Sequence, residues 1–77
     1  MPTYLYEAII NDLLGKIRSG EYPPGVKLPS RKAMCEIYEC SEAPIIRALL
    51  ELRYQGLITS LPGSGTFVAD PLPPGFR

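Results

Sequence analysis

The side chains of this 77-residue chain that can do chemistry are suited to gripping a polyanion, not to breaking a bond. Arg31 and Lys32 open a short helical stretch, where unpaired backbone N–H groups also point outward. Cations at such a helix start form a phosphate clamp; the plainer reading is two solvated charges on a helix end. Ser41, Ala43 and Arg47 fall on the outer side of the next helical stretch. Arg47 is open to two readings: it reads a guanine or holds a phosphate, or it pairs with Glu51 at i+4. Gly63, Ser64, Gly65 and Thr66 form a tight turn. Such a turn can bring backbone close to a narrow groove, or it is a hairpin that needs glycine for its own geometry.

Catalysis lacks its parts. The chain has no histidine, and its two cysteines, Cys35 and Cys40, match neither a zinc spacing nor a disulfide framework. Cys35 reads as a small core residue and Cys40 as a more exposed one. No glycine-rich loop joins a strand to a helix, and Gly63-Ser64-Gly65 is too short to cradle phosphates. We therefore expect no enzyme, no cofactor, no metal site and no small-molecule ligand within this chain. Eight Lys and Arg balance eight Asp and Glu. That balance counts against strong nucleic-acid binding, which comes mostly from neutralised phosphates, although the distribution of charge outweighs its sum. No apolar run is long enough to span a membrane and no signal-peptide pattern follows Met1. The expectation is a reduced, cytoplasmic protein.

Three helices and a hairpin must position these residues. Residues 4–19 read as the first helix, with Tyr6, Ile9, Ile10, Leu13 and Ile17 on one face and Gly15 as a weak point costing about 1 kcal/mol relative to Ala. Pro23 and Pro24 make 21–25 a turn, and 26–28 suits a very short strand. Ser30 caps a helix over 31–38, whose buried side is Met34, Cys35 and Tyr38. Ser41 caps a third helix over 42–55, ended by Gly56. Pro44 is tolerated there because a first-turn N–H has no intrahelical partner, but it leaves the Ser41 hydroxyl only the Ala43 N–H to reach. Ile45, Ala48, Leu49 and Leu52 form the core stripe of that helix. Ala43, Ile46 and Leu50 make a second apolar line on its outer face. It is either a partner surface (a dimer contact, another protein, or thymine methyls) or scattered surface aliphatics. Strands over 57–61 and 66–68 flank the glycine turn. The proline-rich stretch over 71–77 reads as a linker or loose tail, which places a single domain over 4–70. The fold class is mainly α with a small β-wing, a winged helix-turn-helix.

Ile17-Arg18-Ser19-Gly20-Glu21-Tyr22-Pro23-Pro24-Gly25-Val26-Lys27-Leu28-Pro29-Ser30 resembles the opening signature of the gluconate-repressor (GntR) family of bacterial regulators. Residues 41–49, Gly56-Leu57-Ile58 and Gly63-Ser64-Gly65-Thr66-Phe67-Val68 continue the resemblance in register. It implies a winged helix domain that binds double-stranded operator DNA, usually as a homodimer on a near-palindrome. Family members normally carry a C-terminal effector domain. This sequence stops before one, as a stand-alone domain or a piece of a longer chain. Several positions depart from the family pattern. Glu42, Pro44 and Ile46 stand where Arg, Thr and Arg are usual, Glu39 where Gly is usual, and Ser60, Leu61 and Ser64 leave the wing tip uncharged. The resemblance thus implies a bacterial or phage DNA-binding regulator whose binding is weak or atypical. The alternative is a repurposed winged helix that binds a protein through Ala43, Ile46 and Leu50.

Overall fold

A computed structural model describes residues 5–76. The elements run α1 (Leu5–Ser19), α2 (Arg31–Tyr38), α3 (Glu42–Tyr54), β1 (Ile58–Leu61) and β2 (Gly65–Val68). Tyr4, expected at the start of the first helix, lies outside the described residues. Along α1 the apolar spacing puts Ile9, Ile10, Leu13 and Ile17 on the buried face. From α3 come Ile45, Ala48, Leu49 and Leu52, and the core is closed by Leu28, Met34, Leu57, Ile58 and Val68. Full burial of one such side chain is worth about 1.5–3 kcal/mol, so this shared core is what holds an eight-residue helix such as α2 in place. Of the expected α2 face, Met34 is buried while Cys35 and Tyr38 are half-buried; Ile37 is exposed.

The turn between α2 and α3 aims the second helix. Ser30 Oγ accepts from the Ala33 N–H at 3.1 Å, the expected cap of α2. The helix ends on Glu39 at φ 52°, left-handed backbone that costs a non-glycine residue about 1–2 kcal/mol. The Cys40 N–H then donates to the Cys35 carbonyl at 3.0 Å, closing the turn. Ser41 takes the extended cap conformation, but its hydroxyl makes no capping bond, contrary to the reach to Ala43 expected from sequence. A capping oxygen normally serves either of two N–H groups, and Pro44 has removed one. The charge at this helix start comes instead from the Glu42 carboxylate, which suits the positive end of the helix.

A partly exposed cluster ties α2 to α1. Tyr38 donates its hydroxyl to Asp12 Oδ2 at 2.6 Å, and Lys16 Nζ lies 3.3 Å from the same oxygen. The Tyr38 hydrogen bond, helped by Lys16, holds the Asp12 carboxyl below its ordinary range. Burial, and then the same bond, pushes the Tyr38 phenol well above its ordinary value.

β1 and β2 pair antiparallel, with Ile58 opposite Val68 and Leu61 opposite Gly65. The very short strand expected over 26–28 is a single bridge, Lys27 to Phe67, reinforced by Val68 N–H to Val26 O at 2.9 Å and Leu28 N–H to Thr66 O at 2.8 Å. Strand alternation there buries Leu28 and turns Lys27 outward. Beyond the hairpin, the stretch expected as a linker or loose tail doubles back. Leu72 and Phe76 pack half-buried against the core, and the Arg18 guanidinium sits 5.2 Å from the Phe76 ring centre. The apolar side chains among the prolines are what bring it down.

Candidate nucleic-acid interface

The outer flank of α3 and the hairpin face each other across a concavity. Arg31 stands at one end, Ile46, Leu50 and Arg53 line the helix wall, and Lys27, Leu61, Gly63, Gly65 and Thr66 line the hairpin wall. Three cations line it, Lys27, Arg31 and Arg53, and no Asp or Glu does. The chain's zero net charge is therefore unevenly spread: positive here, with acids elsewhere. On the opposite flank of α3, Glu7 and Glu51 share a shallow groove with Arg47. Glu42 borders the concavity, with Oε1 3.9 Å from Arg31 Nε, and both side chains are more than half exposed. A pair that open is screened and loose, so it tempers Arg31 without neutralising it.

Lys27 also explains a glycine. At φ 122° Gly65 occupies backbone that side chains avoid, and a Cβ there would stand 2.8 Å from Lys27 Cε. The lysine stem thus lies along the hairpin backbone and brings a positive charge to a wing whose own tip has none.

Of the residues singled out from sequence, Arg31, Gly63, Gly65 and Thr66 line the concavity together with Ile46 and Leu50. Lys32, Ser41, Ala43 and Ser64 are exposed but do not line it; they lie on α2, at the start of α3 and at the hairpin tip. Arg47 is not brought in. Its guanidinium sits 4.4 Å from the Tyr6 ring centre of α1, within cation–π range. Nor does Arg47 pair with Glu51, whose carboxylate instead accepts from Gln55 Nε2 at 3.3 Å. The physical reason is angular: one residue past Ile46 is about 100° round the helix, which turns Arg47 toward α1. Lys27 and Arg53 went unnoticed in the sequence. Their signals were present, in the out-facing middle place of Val26-Lys27-Leu28 and in the i+7 spacing of Arg53 from Ile46. Among the described residues no group of three or more His, Cys, Asp and Glu is placed to hold a metal, and no helix is long and apolar enough to cross a membrane.

The family model for bacterial regulatory proteins, gntR family, matches residues 5–68. The chain belongs to the gntR family. It is 37% identical over 71 residues to the histidine utilization repressor of Pseudomonas aeruginosa, covering 92% of this chain and 28% of that protein. It is 36% identical over 70 residues to the transcriptional repressor NagR of Bacillus subtilis, covering 91% of this chain and 29% of the repressor. The chain thus spans less than a third of the length of these curated relatives. Among solved structures, the AraR DNA-binding domain in complex with operator ORR3 superposes with a TM-score of 0.86 at 29% identity, over 90% of this chain and 83% of that one. As a gntR-family winged helix domain, the chain keeps the architecture of these solved relatives.

Proposed function

We propose that this domain binds double-stranded operator DNA and serves as the DNA-reading part of a bacterial transcriptional regulator, working in the cytoplasm. The observation that carries the reading is the concavity itself: three cations, no acids, a helix wall and a glycine-bearing hairpin, on a chain of zero net charge. The AraR DNA-binding domain, solved in complex with an operator, supports DNA as the partner. In the proposed pose, the outer face of α3 enters the major groove with Ser41 and Ala43 at its leading end. Arg31 and Lys32 meet phosphates at the start of α2, and Gly63, Ser64, Gly65 and Thr66 approach the minor groove. Arg47, held on Tyr6, reaches at most the flanking backbone. Two copies on a near-palindrome would double a modest half-site affinity in free-energy terms, and homodimerisation belongs to this proposal.

The affinity is modest by construction. Neutralising four phosphates, through Lys27, Arg31, Lys32 and Arg53, gives a salt slope of about −3.6, shallow beside proteins that make six to ten such contacts. The test is fluorescence anisotropy of the 77-residue chain on a random duplex at low and moderate salt. Binding at low salt that weakens with that slope is expected, and Lys27→Gln with Arg53→Gln should flatten the slope by about 2. No binding at low salt, where screening is least, overturns the reading.

A further inference from the structure

The outer face of α3 has a composition unusual for a surface that meets nucleic acid. Ala43, Ile46 and Leu50 follow one another at i, i+3 and i+7, all exposed, with Ile46 at 37% and Leu50 at 56%. They are not needed for folding, because Ile45, Ala48, Leu49 and Leu52 already fill the core side of the same helix. Leu61 extends the apolar surface across to the hairpin. Hydrogen-bonding groups on this face are few: Arg47 is taken up on Tyr6, and Glu42 is turned toward Arg31.

We infer that α3 selects its DNA through the C5-methyl groups of thymine, which Ala43, Ile46 and Leu50 contact in the major groove, so that the preferred half-site is rich in A·T pairs. The inference rests on the proposed operator binding and says which bases are chosen. Base edges in the major groove present donors, acceptors and one apolar feature, the thymine methyl. An aliphatic side chain pressed on any other base edge strips water from a polar group and returns nothing. Pressed on a thymine methyl, it buries apolar surface on both sides. The cations fix the kind of occupant. Lys27, Arg31 and Arg53 border the apolar strip with no acid lining the concavity, which complements a polyanion and opposes an apolar protein helix. The line from Ala43 to Leu50 spans about 10 Å of helix axis, the length of roughly three base-pair steps. Contact with two or three successive thymines is therefore within reach.

The test changes the DNA before the protein. A duplex selected by this chain from a random pool is compared with the same duplex carrying uracil for thymine, which removes only the methyl, and binding is followed by anisotropy. Each contacted methyl lost should weaken binding about fourfold, equivalent to ~0.8 kcal/mol. The double variant Ile46→Ser with Leu50→Ser should lose most of the preference for thymine over uracil, with only the Ala43 contact left. Its fold is checked by circular dichroism. A conservative Leu50→Met variant should retain the preference. Equal binding of the thymine and uracil duplexes by the unaltered chain overturns the inference and leaves operator binding standing. No binding to any duplex overturns both. Self-association that the double variant abolishes, with no preference between thymine and uracil, reassigns the strip to a second copy of the chain and overturns the inference as well.

Discussion

Glu42 is set against itself, and replacing it by Gln should move stability and DNA affinity in opposite directions. Its carboxylate occupies the first turn of α3, where the Ser41 hydroxyl makes no capping bond, and it stands 3.9 Å from Arg31. A negative charge at a helix start is worth about 0.3–1 kcal/mol. An ion pair this exposed adds about 0–1 kcal/mol. Glu42→Gln should therefore destabilise the fold by about 1 kcal/mol, which for a domain of this size lowers Tm by roughly 4–8 °C. In the proposed docking the same carboxylate faces phosphate. With a phosphate docked about 6 Å away in water, its removal relieves about 0.7 kcal/mol, roughly a threefold gain in affinity. Arg31, freed from its partner, contributes a fuller phosphate contact, and the salt slope should steepen by up to about one. Thermal unfolding and anisotropy on a random duplex at two salt concentrations read both effects on one preparation. Unchanged affinity and slope would refute the placement of Glu42 at the DNA face. A Tm that does not fall would refute its role at the start of α3.

Two further substitutions test how the helix-turn-helix is held. Glu39→Gly should stabilise the domain by about 0.5–1 kcal/mol, because relief of left-handed strain exceeds the entropy that glycine adds to the unfolded chain; Glu39→Ala keeps the strain and should show no such gain in urea unfolding. Tyr38→Phe removes the 2.6 Å bond to Asp12 and should cost about 1 kcal/mol at neutral pH. That variant should also flatten both ends of the stability–pH curve. Asp12 is depressed in the fold, so its contribution is full above its ordinary value of 3.8 and is lost as pH falls through the folded value. Tyr38 is raised, so its contribution is full below its ordinary value of 10.0 and is lost as pH climbs above it. An acid limb identical in the variant and the parent would show that the bond does not form in solution.

The architecture was legible in local residue patterns. Helical spacing separated Ile45, Ala48, Leu49 and Leu52 from Ala43, Ile46 and Leu50, and burial follows that division. Ser30, Gly56 and the Gly63–Gly65 turn marked boundaries because capping and positive φ are local demands that a few residues satisfy alone. What the sequence did not reveal was which charges share a face. Arg47 lies one residue from Ile46, yet it stacks on Tyr6 of α1, while Lys27 and Arg53, far apart in sequence, line the same concavity. Leu72 and Phe76, set among prolines, fold back onto the core. Local periodicity fixes the side of an element on which a residue stands, but only the docking of elements decides what stands opposite. On a chain of zero net charge, that docking turns an even mixture of acids and bases into one positive groove.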